Sequence, residues 1–167
     1  PRGLLRLAAL DVGQGDAIAV DLPDGRLMLV DGGGLPGGGL DTGRRVLIPA
    51  LPARRRSRVD IVVLSHPHAD HAAGLASTLA EVEVGEVWDT GEVDHEPRGA
   101  IAEMLDGLRA RGVPIRRPDE LCGRVHALGA GATARVLSPC PNLAGEWSTN
   151  DNSLVVQIAY GARRVLL

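Results

Sequence analysis

The apolar run at residues 59–64 leads straight into Ser65-His66-Pro67-His68-Ala69-Asp70-His71, and this junction constrains the fold more than any other stretch of the 167 residues. Val59, Ile61, Val62, Val63 and Leu64, interrupted only by Asp60, have the length and β-branching of a buried strand. Leu75, Leu79 and Val82 then recur at helical spacing over residues 74–82. Four donor-bearing side chains therefore lie between a strand's carboxyl end and a helix, where α/β folds place chemistry. Imidazoles and a carboxylate suit zinc and related divalent ions. Three of the five histidines in the chain stand here, which packing alone does not explain.

One domain over residues 1–167 is expected at this length, and such a chain can bury a core. With 44% apolar residues but only 2% aromatics and no Phe, that core must be Leu, Val, Ala and Ile. The net charge of −3 gives no global attraction for nucleic acid, so any such contact must be local. All 18 basic residues are Arg. The run Arg54-Arg55-Arg56-Ser57-Arg58 could contact phosphates, although a solvated loop near a helix C-terminus, where cations are favoured, is the plainer expectation. Cys122 and Cys140 are too few for a disulfide framework and lack metal-ligand spacing. Two ordinary thiols are expected rather than one disulfide. No apolar stretch reaches the ~18 residues that span a membrane, and no signal peptide is expected within these residues. The chain opens without Met and closes inside the run Val165-Leu166-Leu167, as a piece of a larger protein would.

Three strands at residues 4–11, 17–22 and 26–30 form an opening meander that ends on Asp31-Gly32-Gly33-Gly34. The Gly-rich stretch 32–43 lacks P-loop spacing and is expected to be a flexible loop. A short helix follows at 44–51. Residues 84–88 form a strand, and Ile101, Met104, Leu105 and Leu108 mark a helix ended by Gly112 and Pro114. Further strands are expected at 113–117, 124–128, 133–137 and 153–160. This order suits sheets covered by helices, an α/β (α+β) class. His95 is expected in a loop, and His126 as a packed or hydrogen-bonded strand residue.

His66 and His68, two apart on a strand exit, can aim at one ion. Asp70 and His71, at the start of the next helix, can face a second. A pair of divalent ions can activate water and neutralise a phosphate or carboxylate.

His-x-His-x-Asp-His after an apolar strand resembles the signature of the metallo-β-lactamase superfamily, whose αββα sandwich begins with a meander ending in an Asp, here Asp31. The resemblance implies that Asp31 orients a ligand from behind, as a metal-bound His requires. A finer resemblance is to the C-terminal metallo-β-lactamase-like domain of ComEC-type DNA-uptake (competence) proteins. It rests on Leu10-Asp11-Val12-Gly13-Gln14-Gly15-Asp16-Ala17, on Val63 to His71, and on Asn150-Asp151-Asn152-Ser153-Leu154-Val155. Gln14 and Asp16 then belong behind the ligands. Asn150 stands where other superfamily members have a His, as a ligand through its side-chain oxygen or as a turn residue. The resemblance implies two divalent ions, Zn or Mn, in the full-length protein, held by His66, His68, Asp70, His71 and Asn150, with Asp70 also a proton carrier. It implies a phosphodiesterase degrading the non-imported, single-stranded DNA beside the membrane channel of the same polypeptide, on the extracellular or periplasmic side. The family pattern continues after residue 167 into Thr-Gly-Asp, so the sandwich is expected to be C-terminally truncated here. A silent structural or gating module and a small-molecule ester or thioester hydrolase are the alternatives.

Overall fold

Strand β4 (Arg58–Leu64) sends Val62 and Leu64 into one apolar cluster and Ile61 and Val63 into another. Alternate side chains leave a strand on opposite faces, so β4 is covered on both. Such coverage is what central parallel strands require. The computed structural model describes residues 3–35, 39–95 and 99–167.

The first sheet runs in the order β1 (Arg6–Ala9), β2 (Ile18–Asp21), β3 (Leu27–Val30), β4, β5 (Glu83–Asp89) and β6 (Ile115–Arg116). Strands β1 to β3 form the antiparallel meander, and β3 to β6 are parallel. The second sheet is antiparallel in the order β10 (Arg163–Leu166), β9 (Val155–Tyr160), β8 (Ala132–Ser138) and β7 (His126–Gly129). Val20, Met28, Ile61, Val63 and Trp88 of the first sheet meet Leu128, Ala134, Val136, Val156 and Ile158 of the second. On the other face of the first sheet lie α1 (Ile48–Ala53, entered through a π-helical turn at Gly43–Leu47), α2 (Ala69–Glu81) and α3 (Ala100–Ala110). A short α4 (Pro118–Leu121) packs on β8. This mixed fold of two facing sheets with helices agrees with the expected sandwich.

Helix α2 is held to the sheet by Ala72, Leu75 and Leu79, each at most 1% exposed. Burial of each leucine contributes about 1.5–3 kcal/mol. His126 meets its expectation, with its Nε2 2.9 Å from the Leu121 carbonyl and its ring 5.0 Å from that of Trp88. The side chain of His95 lies outside the described residues.

Two expectations are corrected. The stretch after Asp31 is no flexible loop over Gly32–Gly34, where all three glycines are buried. Gly32 N–H donates to the His71 carbonyl (2.7 Å), Gly33 N–H to Asp16 (2.8 Å), and Gly74 N–H to Gly33 (2.9 Å). A Cβ on Gly74 would run into the Gly32 carbonyl, so these glycines serve close backbone packing on α2. Residues 36–38 of that stretch lie outside the described residues. The cysteines are also not two thiols, because Cys122 and Cys140 form a disulfide. Cys122 bridges Val136 of β8, which brings the two Cα atoms to 5.7 Å, inside the range a disulfide needs.

Candidate metal centre

Asp31 leaves β3 with φ at 57°, a left-handed conformation that Asp tolerates better than most residues. That turn buries its carboxylate, 3% exposed, beneath the end of β4. Its Oδ1 accepts from Ser65 N–H at 2.8 Å, and its Oδ2 accepts from the Ser65 hydroxyl at 2.7 Å. The same Oδ2 lies 2.8 Å from His71 Nδ1, which comes from the first turn of α2. A carboxylate only accepts, so His71 carries its proton on Nδ1 and turns Nε2 away from this bond.

His66, 5% exposed, has Nδ1 at 3.0 Å from the Ser65 hydroxyl oxygen and 3.1 Å from that of Ser153. Ser65 gives its hydroxyl proton to Asp31, and Ser153 gives its own to the Asn150 carbonyl at 2.7 Å. Both oxygens can then only accept from the ring, which places the proton on Nδ1 of His66 and a lone pair on Nε2. Two histidines from separate elements are thus held in the tautomer a cation requires.

The rings themselves are neighbours. His66 lies 4.1 Å from His71 and 4.9 Å from the exposed His68, between ring centroids. Burial pushes the pKa of His66 below its ordinary value, and the charges of His71 and His68 add to this against Asp31 and Asp70. The hydrogen bond to Asp31 raises His71, overcoming burial, with help from the charges of Asp31, Asp70 and Asp16.

Asp70 sits half-buried in the first turn of α2, and its carbonyl faces Gly15 so closely that a Cβ there would collide with it. Gly15 also holds φ at +81°, a conformation suited to glycine. The loop of residues 11–17 is thereby seated on the helix start. Asp16 and Gln14 are exposed, and their backbone carbonyls receive Gly33 N–H (2.8 Å) and Gly34 N–H (3.4 Å). Asn150 is exposed and meets the cluster through its backbone carbonyl and Ser153.

The structure therefore gathers His66, His68, Asp70 and His71 with Asp31 and Asp16. It adds Ser65 and Ser153, which sequence reasoning did not single out. Ser65 could have been found as the first polar residue after the strand, and Ser153 as the last residue of Asn-x-x-Ser. Asn152, 4% exposed, fastens the loop that delivers Ser153, through Ala144 N–H (2.9 Å) and the carbonyls of Ala144 (3.0 Å) and Trp147 (3.3 Å). Leu154 N–H then bonds the Ser65 carbonyl at 2.8 Å.

Two Nε2 lone pairs beside a third imidazole and a carboxylate fit a divalent cation in donor chemistry. The fit in position is partial. Among the described residues, no group of three or more His, Cys, Asp or Glu side chains is set to hold a metal ion.

The sequence profile of the metallo-beta-lactamase superfamily matches residues 10–167. Among solved structures, the chain is similar to CmlA, a diiron beta-hydroxylase from Streptomyces venezuelae. Identity is 22% and the TM-score 0.52, over 99% of this chain and 29% of that one. It is also similar to MEM-A1, a subclass B3 metallo-beta-lactamase from a soil metagenome library, at 14% identity and a TM-score of 0.56. That match covers 99% of this chain and 59% of the other. At these identities the likeness shows the fold. The chain spans under a third of CmlA and under two thirds of the lactamase. No curated protein matches it significantly.

Proposed function

The chain belongs to the metallo-β-lactamase superfamily, a metal-dependent hydrolase fold, and from that premise we propose that it is a phosphodiesterase domain acting on DNA. The observation that carries the hydrolase reading is the pair of fixed tautomers, which leaves Nε2 of His66 and of His71 as lone-pair donors. In this proposal His66 and His68 hold one ion, Asp70 and His71 the other, with Asn150 at the margin and Zn or Mn as the metal. Divalent ions would supply Lewis acidity and charge neutralisation to a phosphoryl centre. The protein's own contribution is orientation. Asp31 fixes His71, and Ser65 and Ser153 fix His66; in this reading Asp70, half-buried at the helix start, would carry a proton.

The DNA substrate rests on the resemblance to ComEC-type uptake proteins. Two features support that resemblance: Gly15 seats the loop of residues 11–17 on Asp70, and Ser153 of the Asn150 motif reaches His66. The disulfide supports an oxidising compartment, hence the extracellular or periplasmic side of a cell-membrane protein. No described helix is long and apolar enough to cross a membrane. Residues 1–167 would be one soluble-facing domain, with single-stranded DNA and the channel portion of the same polypeptide as partners.

One observation favours a second reading. Without three donors set around a point among the described residues, the domain would serve as a silent structural or gating module. Metal analysis of the purified protein, followed by assays on single-stranded DNA and on thioesters with added Mn²⁺ or Zn²⁺, separates the readings. DNA cleavage lost in His66→Ala supports the phosphodiesterase. Thioester cleavage alone replaces it with a small-molecule hydrolase, and protein that takes up no metal leaves the silent module.

A further inference from the structure

The chain's sharpest concentration of positive charge lies at the opposite end of the first sheet from the histidines. Strand β4 separates the two ends by about 20 Å. There Arg6 of β1, Asp21 at the end of β2 with Leu22 just past it, and Ala53 at the end of α1 with Arg54 to Arg56 after it line a cleft of about 350 Å³. Four arginines and one aspartate are among its lining residues. Arg54 Nε is 3.8 Å from Asp21 Oδ2, beyond hydrogen-bonding distance. The Nε atoms of Arg54 and Arg56 are both buried without a hydrogen-bond partner.

A buried charged donor without a hydrogen bond is costly, and capping of the helix does not satisfy it. The carbonyls of Ala50, Leu51 and Pro52 already accept from the backbone N–H groups of Arg54, Arg55 and Arg56, at 2.8–3.2 Å. Arg55 adopts φ of 57°, which closes the helix and leaves all three side chains lining the cleft. The run expected to be solvated is therefore solvated only in part.

We propose that this cleft binds a phosphoryl oxyanion at a site separate from the histidine cluster. Guanidinium forks match phosphate oxygens in pairs, and the cleft sets arginines from four positions against the carboxylate of Asp21. The net charge of −3 makes the attraction local to this cleft rather than general. The site stands whether or not the histidines carry out hydrolysis. If the DNA reading holds, the cleft grips the strand's backbone remote from the cleaved bond.

Binding of inorganic phosphate, a mononucleotide and labelled oligothymidylate to the whole protein tests this, by calorimetry and fluorescence anisotropy across a salt series. R54Q/R56Q should weaken phosphate and oligothymidylate binding about tenfold or more, as expected when charged hydrogen bonds are removed. For every backbone phosphate that is no longer neutralised, the single-strand salt slope should fall by about 0.7. R124Q/R135Q removes the same charge from exposed positions elsewhere and should leave both nearly unchanged. Arg6→Gln, at an exposed strand position, gives a smaller loss of the same kind and guards against misfolding of the double variant. Phosphate and nucleotide binding without oligothymidylate binding supports the site and assigns it a free ligand. Retained oligothymidylate binding in His66→Ala separates it from the candidate metal centre. Wild-type protein that binds none of the three, or R54Q/R56Q and Arg6→Gln that bind as wild type does, overturns the proposal.

Discussion

Asp31 accepts from three donors at 3% exposure, so its side chain is structural before it is anything else. Replacing it with Ala strands the Ser65 N–H, the Ser65 hydroxyl and His71 Nδ1–H. The expected loss is about 1–3 kcal/mol of unfolding free energy, measured by denaturant titration. Asp24 offers a cleaner electrostatic test. Burial pushes its carboxyl up, but the backbone N–H and guanidinium of Arg26 together hold it below the ordinary value of 3.8. A depressed folded pKa contributes stability above 3.8 that is lost as pH falls through the lower folded value. The midpoint difference between wild type and Asp24→Asn should therefore be present at pH 6 and shrink as pH falls below 3.8. Single residues were unevenly legible. Asp31 was legible through the family resemblance, which ends the opening meander on an Asp, whereas Ser153 acts on His66 across 87 positions that no local pattern spans.

Elements were read best where apolar residues recurred densely at one period, as in the second half of β4 and in α3. Helix α2 begins at Ala69, five residues before the periodic segment, because its first turn carries Asp70 and His71 in place of apolar spacing. Two features escaped for the same reason. Helix α4, of four residues, is too short to show a period, and the Gly32–Gly34 segment looked unstructured because its order comes from backbone packing on α2. The disulfide escaped because 18 positions separate its cysteines and only the return of β8 beside Cys122 unites them. It closes a loop of that length, and chain entropy alone predicts a stabilisation of about 3 kcal/mol. Cys122→Ser/Cys140→Ser, or the wild type in reductant, should unfold at correspondingly lower denaturant concentration.

For the molecule as a whole, the order of strands and helices announced two layers of sheet with helices, and the aromatic-poor composition announced an aliphatic core. What it could not announce was which strand begins the second sheet, since β6 and β7 carry similar short apolar patterns. That partition decides the candidate centre. Residues 31 and 65–71 belong to the first sheet's edge of the site, and Ser153 arrives from the entrance to β9. Nδ1 of His66 lies within hydrogen-bonding distance of both contributions, Ser65 and Ser153. The surroundings of one imidazole ring are consequently a reporter of sheet docking: during refolding, its nitrogens should acquire their full native signature only as the two halves of the sandwich close.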